Sequence, residues 1–312
     1  MSTSPPQYPP QGPVGPPVQP GATCSWHPDR GTALTCTRCG RPACPECLTP
    51  ASVGFHCRAC VAEAQATQRA PRTVAGAKVG QRPIVTMVLI GINLAFFLVT
   101  ALQARSAMDL SPSMLYVRGS LIPAEVSSGE YWRLLTAGFL HGTLIHIATN
   151  MFSLYILGLP LERMLGRWRF TTVYLLALLG SSVSVMLFSY PFSPTIGASG
   201  AVYGLMGALV VTFKRFGFDL RQLLVVVALN VYVTFAVPGI SWQGHLGGLV
   251  VGAVVGAAMV YPPARSRNTW LWGTVIGVVV VLAALLIFRN GQIGEWFCVY
   301  NADGSGGCVP AH

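Results

Sequence analysis

Acidic side chains are scarce in this chain. Asp and Glu together number 10 of 312 residues, and no aspartate falls inside an apolar run, so hydrolysis by paired carboxylates has no candidates. The metal-binding helix pattern H-E-x-x-H is missing as well: His141 and His146 are five apart, a spacing that points them to different faces of a helix. The sequence G-A-S-G-A lacks the final glycine of the G-x-S-x-G elbow and follows no predicted strand, which argues against an α/β-hydrolase. The N-terminus has neither the basic segment nor the apolar core of a secretory signal. A net charge of +10 comes without any aromatic-basic recognition motif, so it does not point to nucleic acid. Charged residues at mid-membrane depth and an internal repeat, the marks of a transporter, are also lacking.

What remains is largely apolar. Hydrophobic residues make up 52% of the chain, charged residues 10%, and the mean hydropathy is +0.55, the composition of a polytopic membrane protein. Residues 1–22 are Pro-rich, without apolar periodicity, and are expected to form a disordered tail. From residue 83 onward seven apolar runs are expected to be membrane helices: 83–102, 143–160, 169–189, 199–213, 221–237, 244–261 and 270–288. With the N-terminus in the cytoplasm, the inner flanks hold twelve Lys and Arg, including Arg69, Arg72, Lys78, Arg82, Arg163 and Lys214, while the outer segments hold four. That asymmetry favours a cytoplasmic N-terminus and, with an odd number of spans, an extracytoplasmic C-terminus, where Cys298 and Cys308 have the opportunity to form a disulfide.

Seven of the nine cysteines fall within 37 positions. Cys24 with His27, Cys36 with Cys39, Cys44 with Cys47, and Cys57 with Cys60 are four pairs, each separated by two residues. Such knuckles present soft donors in the way tetrahedral Zn²⁺ requires, and four of them supply eight ligands for two ions. In an oxidising compartment the same cysteines would read as a disulfide-stapled module; the paired histidine and the reducing cytoplasm favour metal. The order resembles B-box-type cross-brace fingers. That resemblance implies one ion shared by Cys24, His27, Cys44 and Cys47 and a second by Cys36, Cys39, Cys57 and Cys60, with His56 an alternative to its neighbour Cys57. Both ions are expected to be structural, and the module to dock a cytoplasmic protein partner.

Polar residues inside the spans converge. The second, fourth and sixth spans all enter from the outer side; they carry His146 and Asn150 (i, i+4 on one face), Ser199 in a first turn, and His245 near a helix start. Intramembrane polar groups are costly and are candidates for function. A serine and a histidine at one depth form a nucleophile and base. Gly197, Ala198 and Gly200 let a substrate approach Ser199, and the free N–H groups of a helix start, with His146 and Asn150, can donate to an oxyanion. Each residue alone has an ordinary explanation, such as a serine bonded to its own backbone, and Gly244, Gly248, Gly252 and Gly256 by themselves indicate only a close helix neighbour.

Three ordered stretches, "YWRLLTAGFLHGTLIHIATNM", "GASGAVYG" and "GHLGGLVVG", resemble the signatures of the rhomboid intramembrane serine proteases. The resemblance spans about 83–261 and implies an all-α, six-helix bundle. It further implies a Ser199/His245 dyad without a catalytic aspartate, an oxyanion site of His146, Asn150 and the Ser199 amide, and Tyr203 packed on the histidine ring. Trp132 and Arg133 match a first-loop pair, and Glu162 with Arg163 an inner-loop motif, all given a structural role; for Glu162 a solvated charge pair is the simpler reading. The expected organisation is a tail (1–22), a B-box-like zinc module (23–62), a linker (63–82), the protease core (83–261), a seventh helix (262–289) and an extracytoplasmic tail (290–312). By this reading the chain is a multi-pass bacterial cell-membrane endopeptidase that cuts single-span membrane proteins in or near their transmembrane segments, with no catalytic cofactor. The rival reading is a catalytically silent rhomboid-like protein that binds membrane clients.

Overall fold

Short hairpins held around cysteine make up the N-terminal part of the computed structural model, which describes residues 21–67, 73, 75–77 and 82–293 and the backbone of 296–300 and 306–310. The Pro-rich tail, Arg69, Arg72, Lys78 and the side chains of Cys298 and Cys308 lie outside the described residues. The chain divides into two units, residues 1–70 and 71–312.

In the first unit β1 (Thr23–Cys24) pairs antiparallel with β2 (His27–Gly31), and β3 (Leu48–Pro50) with β4 (Phe55–Cys57), which leads into α1 (Arg58–Thr67). Its buried apolar residues are almost all cysteines, with Trp26 and Leu48 packed against them. A core this small does not sustain a fold without a staple. The helix α1 continues past residue 62, so part of the expected linker is helical.

The second unit opens with α2 (Ile84–Ala104), followed by three short helices, α3 (Met114–Gly119), α4 (Pro123–Ser127) and α5 (Arg133–Thr136). Then come α6 (Leu144–Leu165), α7 (Arg167–Phe188), α8 (Ser199–Phe216), α9 (Arg221–Ala236), α10 (Trp242–Val260) and α11 (Arg267–Ile293). A backbone hairpin, β5 (Trp296–Tyr300) with β6 (Gly306–Pro310), follows and sets Cys298 opposite Cys308 in register. Among the described residues five helices are long and apolar enough to cross a membrane: α2, α6, α7, α10 and α11. The other two expected spans are present as α8, with 18 residues, and α9, with 16. The first of these is the central helix, buried continuously from Gly200 to Leu209, so protein rather than lipid surrounds most of it.

Helix α8 meets α10 through glycine. A Cβ placed on Gly248 would overlap the Gly200 carbonyl oxygen, and one on Gly252 the Gly204 carbonyl oxygen; on Gly256 it would come within 2.9 Å of the Ala208 Cα. The four-residue glycine repeat is therefore the seam along which the two backbones touch, a small-residue packing that lets dispersion contacts replace side chains in lipid.

Two buried charges organise the remaining elements. Pro83 gives α2 no side-chain cap, and Glu162, from the far end of α6, supplies one: it accepts from Val85 N (2.9 Å), Thr86 N (2.8 Å) and Thr86 Oγ1 (2.7 Å). Glu162 is buried, and no described ion pair includes it. This corrects the expectation of a solvated charge pair: a carboxylate satisfied by three donors at a positive helix end needs neither water nor a cation. Arg133, also buried, ties the short helices together by donating to the carbonyls of Val117 and Ser120, both at 2.8 Å, while pairing with Glu130 at 2.6 Å. Its neighbour Trp132 is exposed and donates from Nε1 to the Arg118 carbonyl at 3.1 Å. The last helix joins the same region, where Ser127 Oγ donates to Asn290 Oδ1 (3.0 Å) and Arg289 Nε to the Met186 carbonyl (2.9 Å).

Candidate active site and metal centre

Ser199 is the first residue of α8, and the turn before it strongly favours glycine. Gly197 has φ +122°, a region that side-chain-bearing residues rarely enter. A Cβ there would also sit 2.8 Å from His146 Nε2 and 3.6 Å from Ser199 Oγ, so the missing side chain leaves room between those two groups. The Gly197 N–H donates to the Ala137 carbonyl at 2.8 Å, so Gly197 shapes the turn and has no donor left for an oxyanion. The first N–H groups of α8 have no partner within their own helix.

His146 lies near the start of α6, where Thr143 Oγ1 accepts from the His146 N–H (3.1 Å) as the helix cap. Asn150 follows on the same face, buried, with Nδ2 donating to the His146 carbonyl at 3.0 Å; its second N–H remains for another acceptor. The His141 ring, predicted to point elsewhere, meets the His146 ring edge-on at 5.0 Å. Its residue precedes α6 in an extended loop, so a helical-face argument does not apply to it.

His245 is buried near the start of α10, whose cap is Ser241 Oγ accepting from Gly244 N at 3.3 Å. Tyr203 stacks on the imidazole with ring centroids 4.0 Å apart and an interplanar angle of 14°. Thr234 Oγ1 lies 2.8 Å from His245 Nδ1, a contact the sequence did not suggest. No described hydrogen bond joins Ser199 Oγ to His245. The two are brought to one level by the glycine seam: Gly200, next to Ser199, abuts Gly248 one turn below His245. An apolar recess of about 250 Å³ opens beside the histidine, lined by Val231, Phe235, Trp242 and Leu246 together with Tyr203 and Thr234.

A family model described as Rhomboid domain matches residues 128–262, the stretch that holds every one of these side chains. The chain is also 35% identical over 222 residues to RHOMBOID-like protein 6, mitochondrial, of Arabidopsis thaliana, covering 65% of this chain and 72% of that protein. The chain belongs to the rhomboid family. It is similar to Rhomboid protease GluP of Bacillus subtilis (strain 168), 32% identical over 209 residues, which cover 65% of this chain and 40% of that relative. Rhomboid protease AarA of Providencia stuartii is 23% identical over 232 residues, or 82% of its length. The chain thus spans well under half of GluP, and the matched Rhomboid domain lies wholly within the second unit.

Outside the rhomboid domain, the four ligand pairs close into two clusters. Cys24, His27, Cys44 and Cys47 form one and Cys36, Cys39, Cys57 and Cys60 the other, with the ligand atoms of each within 4.8 Å of one another. His27 Nδ1 stands 3.3 Å from Cys44 Sγ, 3.4 Å from Cys47 Sγ and 3.7 Å from Cys24 Sγ; Cys39 and Cys57 Sγ are also 3.7 Å apart. A tetrahedron with metal–sulfur bonds of about 2.3 Å has edges of about 3.8 Å, so both donor sets fit one metal ion each. His56 pairs with Thr49 in the strand ladder and stays out of the cluster, because adjacent strand residues face opposite ways and Cys57 takes the inward position.

Proposed function

We propose that this chain is an intramembrane serine endopeptidase in which Ser199 is the nucleophile and His245 the general base. The observation that carries the reading is the placement of a serine at the start of α8 and a histidine near the start of α10, on two helices whose backbones touch through glycine. As Ser199 Oγ attacks the peptide carbonyl, its proton passes to His245 Nε2; the imidazolium then returns a proton to the leaving amine. The developing oxyanion is met by the Ser199 amide, the free N–H of Asn150 and the His146 ring, in a site where few water dipoles compete. Water, deprotonated by His245, hydrolyses the acyl-enzyme and restores both residues. Apo sites often hold such pairs at more than hydrogen-bond length, and substrate closes them.

The substrate class follows from the solvent. A transmembrane helix hides its carbonyls in its own hydrogen bonds, so a segment must unwind before Ser199 can reach one. The apolar recess beside His245 suits an uncharged side chain of such a segment. The bias of basic residues orients the bundle with its N-terminus cytoplasmic and the serine and histidine towards the extracytoplasmic side of a bacterial cell membrane. The two cysteine clusters hold structural Zn²⁺, and the module they staple docks a cytoplasmic protein.

Two measurements test these assignments. A fluorophosphonate probe applied to the purified protein in detergent is expected to label the starting chain at Ser199 and to leave Ser199→Ala unlabelled. A folded, unlabelled starting chain would instead make it a silent client-binding rhomboid. Chelation of the full-length protein is expected to release two zinc ions per chain and open residues 21–67 to protease, because structural Zn²⁺ contributes about 10–16 kcal/mol to folding such modules. Protection that survives complete metal loss would show that the cysteines hold the module by another means.

A further inference from the structure

Thr234 has no counterpart among the residues assigned above, yet it is one of only two residues that α9 buries, the other being Leu223. Its hydroxyl meets three polar atoms: the Asn230 carbonyl oxygen at 2.8 Å, Tyr203 Oη at 2.5 Å and His245 Nδ1 at 2.8 Å. A carbonyl can only accept, and a threonine hydroxyl carries one proton and two lone pairs. If all three contacts are to be hydrogen bonds at once, one arrangement of protons serves: Thr234 donates to the Asn230 carbonyl, and both Tyr203 O–H and His245 Nδ1–H donate to Thr234.

We infer that Thr234 is a positioning residue that holds neutral His245 in the tautomer with its proton on Nδ1, leaving the Nε2 lone pair free for the proton of Ser199. The inference rests on the protease reading of Ser199 and His245. It gives the Thr234 hydroxyl the orienting task that a carboxylate performs in a three-residue serine site, without the negative charge. The Nδ1–H bond persists when Nε2 gains the serine proton, so the ring does not turn during transfer. Tyr203 is tied to the same oxygen, which fixes the stacked ring and the imidazole together. Because α9 is otherwise lightly buried, the alignment of the base depends on where this helix sits.

The test uses the full-length protein in detergent, with ¹⁵N-labelled histidine to read the tautomer and a single-span model substrate to read turnover. The six histidines are assigned by single substitution. In the starting protein His245 Nδ1 is expected to show the protonated, pyrrole-type signal and Nε2 the pyridine-type one. Thr234→Val, which keeps the shape and removes the hydroxyl, is expected to lose that preference and to lower kcat about tenfold or more, with KM within about twofold. Thr234→Ser is expected to restore both readouts to within about threefold of the starting protein. A proton on Nε2 in the starting protein, an undiminished kcat in Thr234→Val, or a serine variant as slow as the valine variant would each overturn the assignment. If the starting protein turns over no substrate, the protease reading fails, and the tautomer in the starting protein and in Thr234→Val still decides the role of Thr234. If Thr234→Val does not fold, the tautomer of the starting protein decides it alone.

Discussion

Ser199→Ala and His245→Ala are each expected to cut a single-span substrate at least about 10³-fold more slowly than the starting protein, while melting at nearly the same temperature. The size follows from what each group supplies. Without Oγ no acyl-enzyme forms; without the imidazole the hydroxyl must ionise unaided inside a largely buried site. The stability expectation follows from position. Ser199 caps no helix and makes no described side-chain hydrogen bond, and among the described polar and ring contacts His245 gives up its stack on Tyr203 and its contact with Thr234. Residues that act as one unit are not additive, so the double variant is expected to be no slower than either single one. Rates measured by gel on reconstituted protein settle the point. A double variant slower than both by the product of their effects would mean that the two groups serve separate steps, and the dyad would have to be abandoned.

Much of this was legible in the sequence because the signals are local. Spacing of two residues between ligands specifies a knuckle whatever surrounds it, and the two clusters form from the same four pairs. Length and apolarity of a run announce a helix, which is why α2, α6, α7, α10 and α11 stand where they were expected. What was not legible depends on register between distant elements. Glu162 reads as a surface charge until α2, 76 residues upstream at Thr86, presents its bare N–H groups to it. Thr234 reads as one polar residue in an apolar run until α9 lays it against an imidazole. Helical spacing misplaces His141, because that residue lies before its helix begins. The glycine repeat announced a close neighbour without naming it, since only packing chooses Gly200, Gly204 and Ala208 as its partners.

That seam supports the second large expectation. Gly248→Ala adds one methyl group, and the atom it would overlap is the Gly200 carbonyl oxygen, part of a helix backbone that cannot swing aside like a side chain. The strain is relieved only if α10 moves away from α8, at a cost of about 1–3 kcal/mol or more. His245 is one turn before Gly248 on α10, and Ser199 is next to Gly200 on α8, so the displacement opens the gap between nucleophile and base. The variant is therefore expected both to melt earlier and to lose about 10²-fold in cleavage, since misplacement by about 1 Å is enough for a loss of that order. Gly256→Ala strains the same seam against Ala208, about three turns from the histidine and with a milder approach of 2.9 Å, and is expected to cost less stability and much less rate. Gly273→Ala on α11, where the added methyl meets nothing within 4 Å, serves as the unstrained control and is expected to change neither. Melting curves and cleavage rates on the three variants separate the two contributions. Equal rate losses in Gly248→Ala and Gly256→Ala would mean that the seam sustains the bundle as a whole and does not set the serine–histidine alignment.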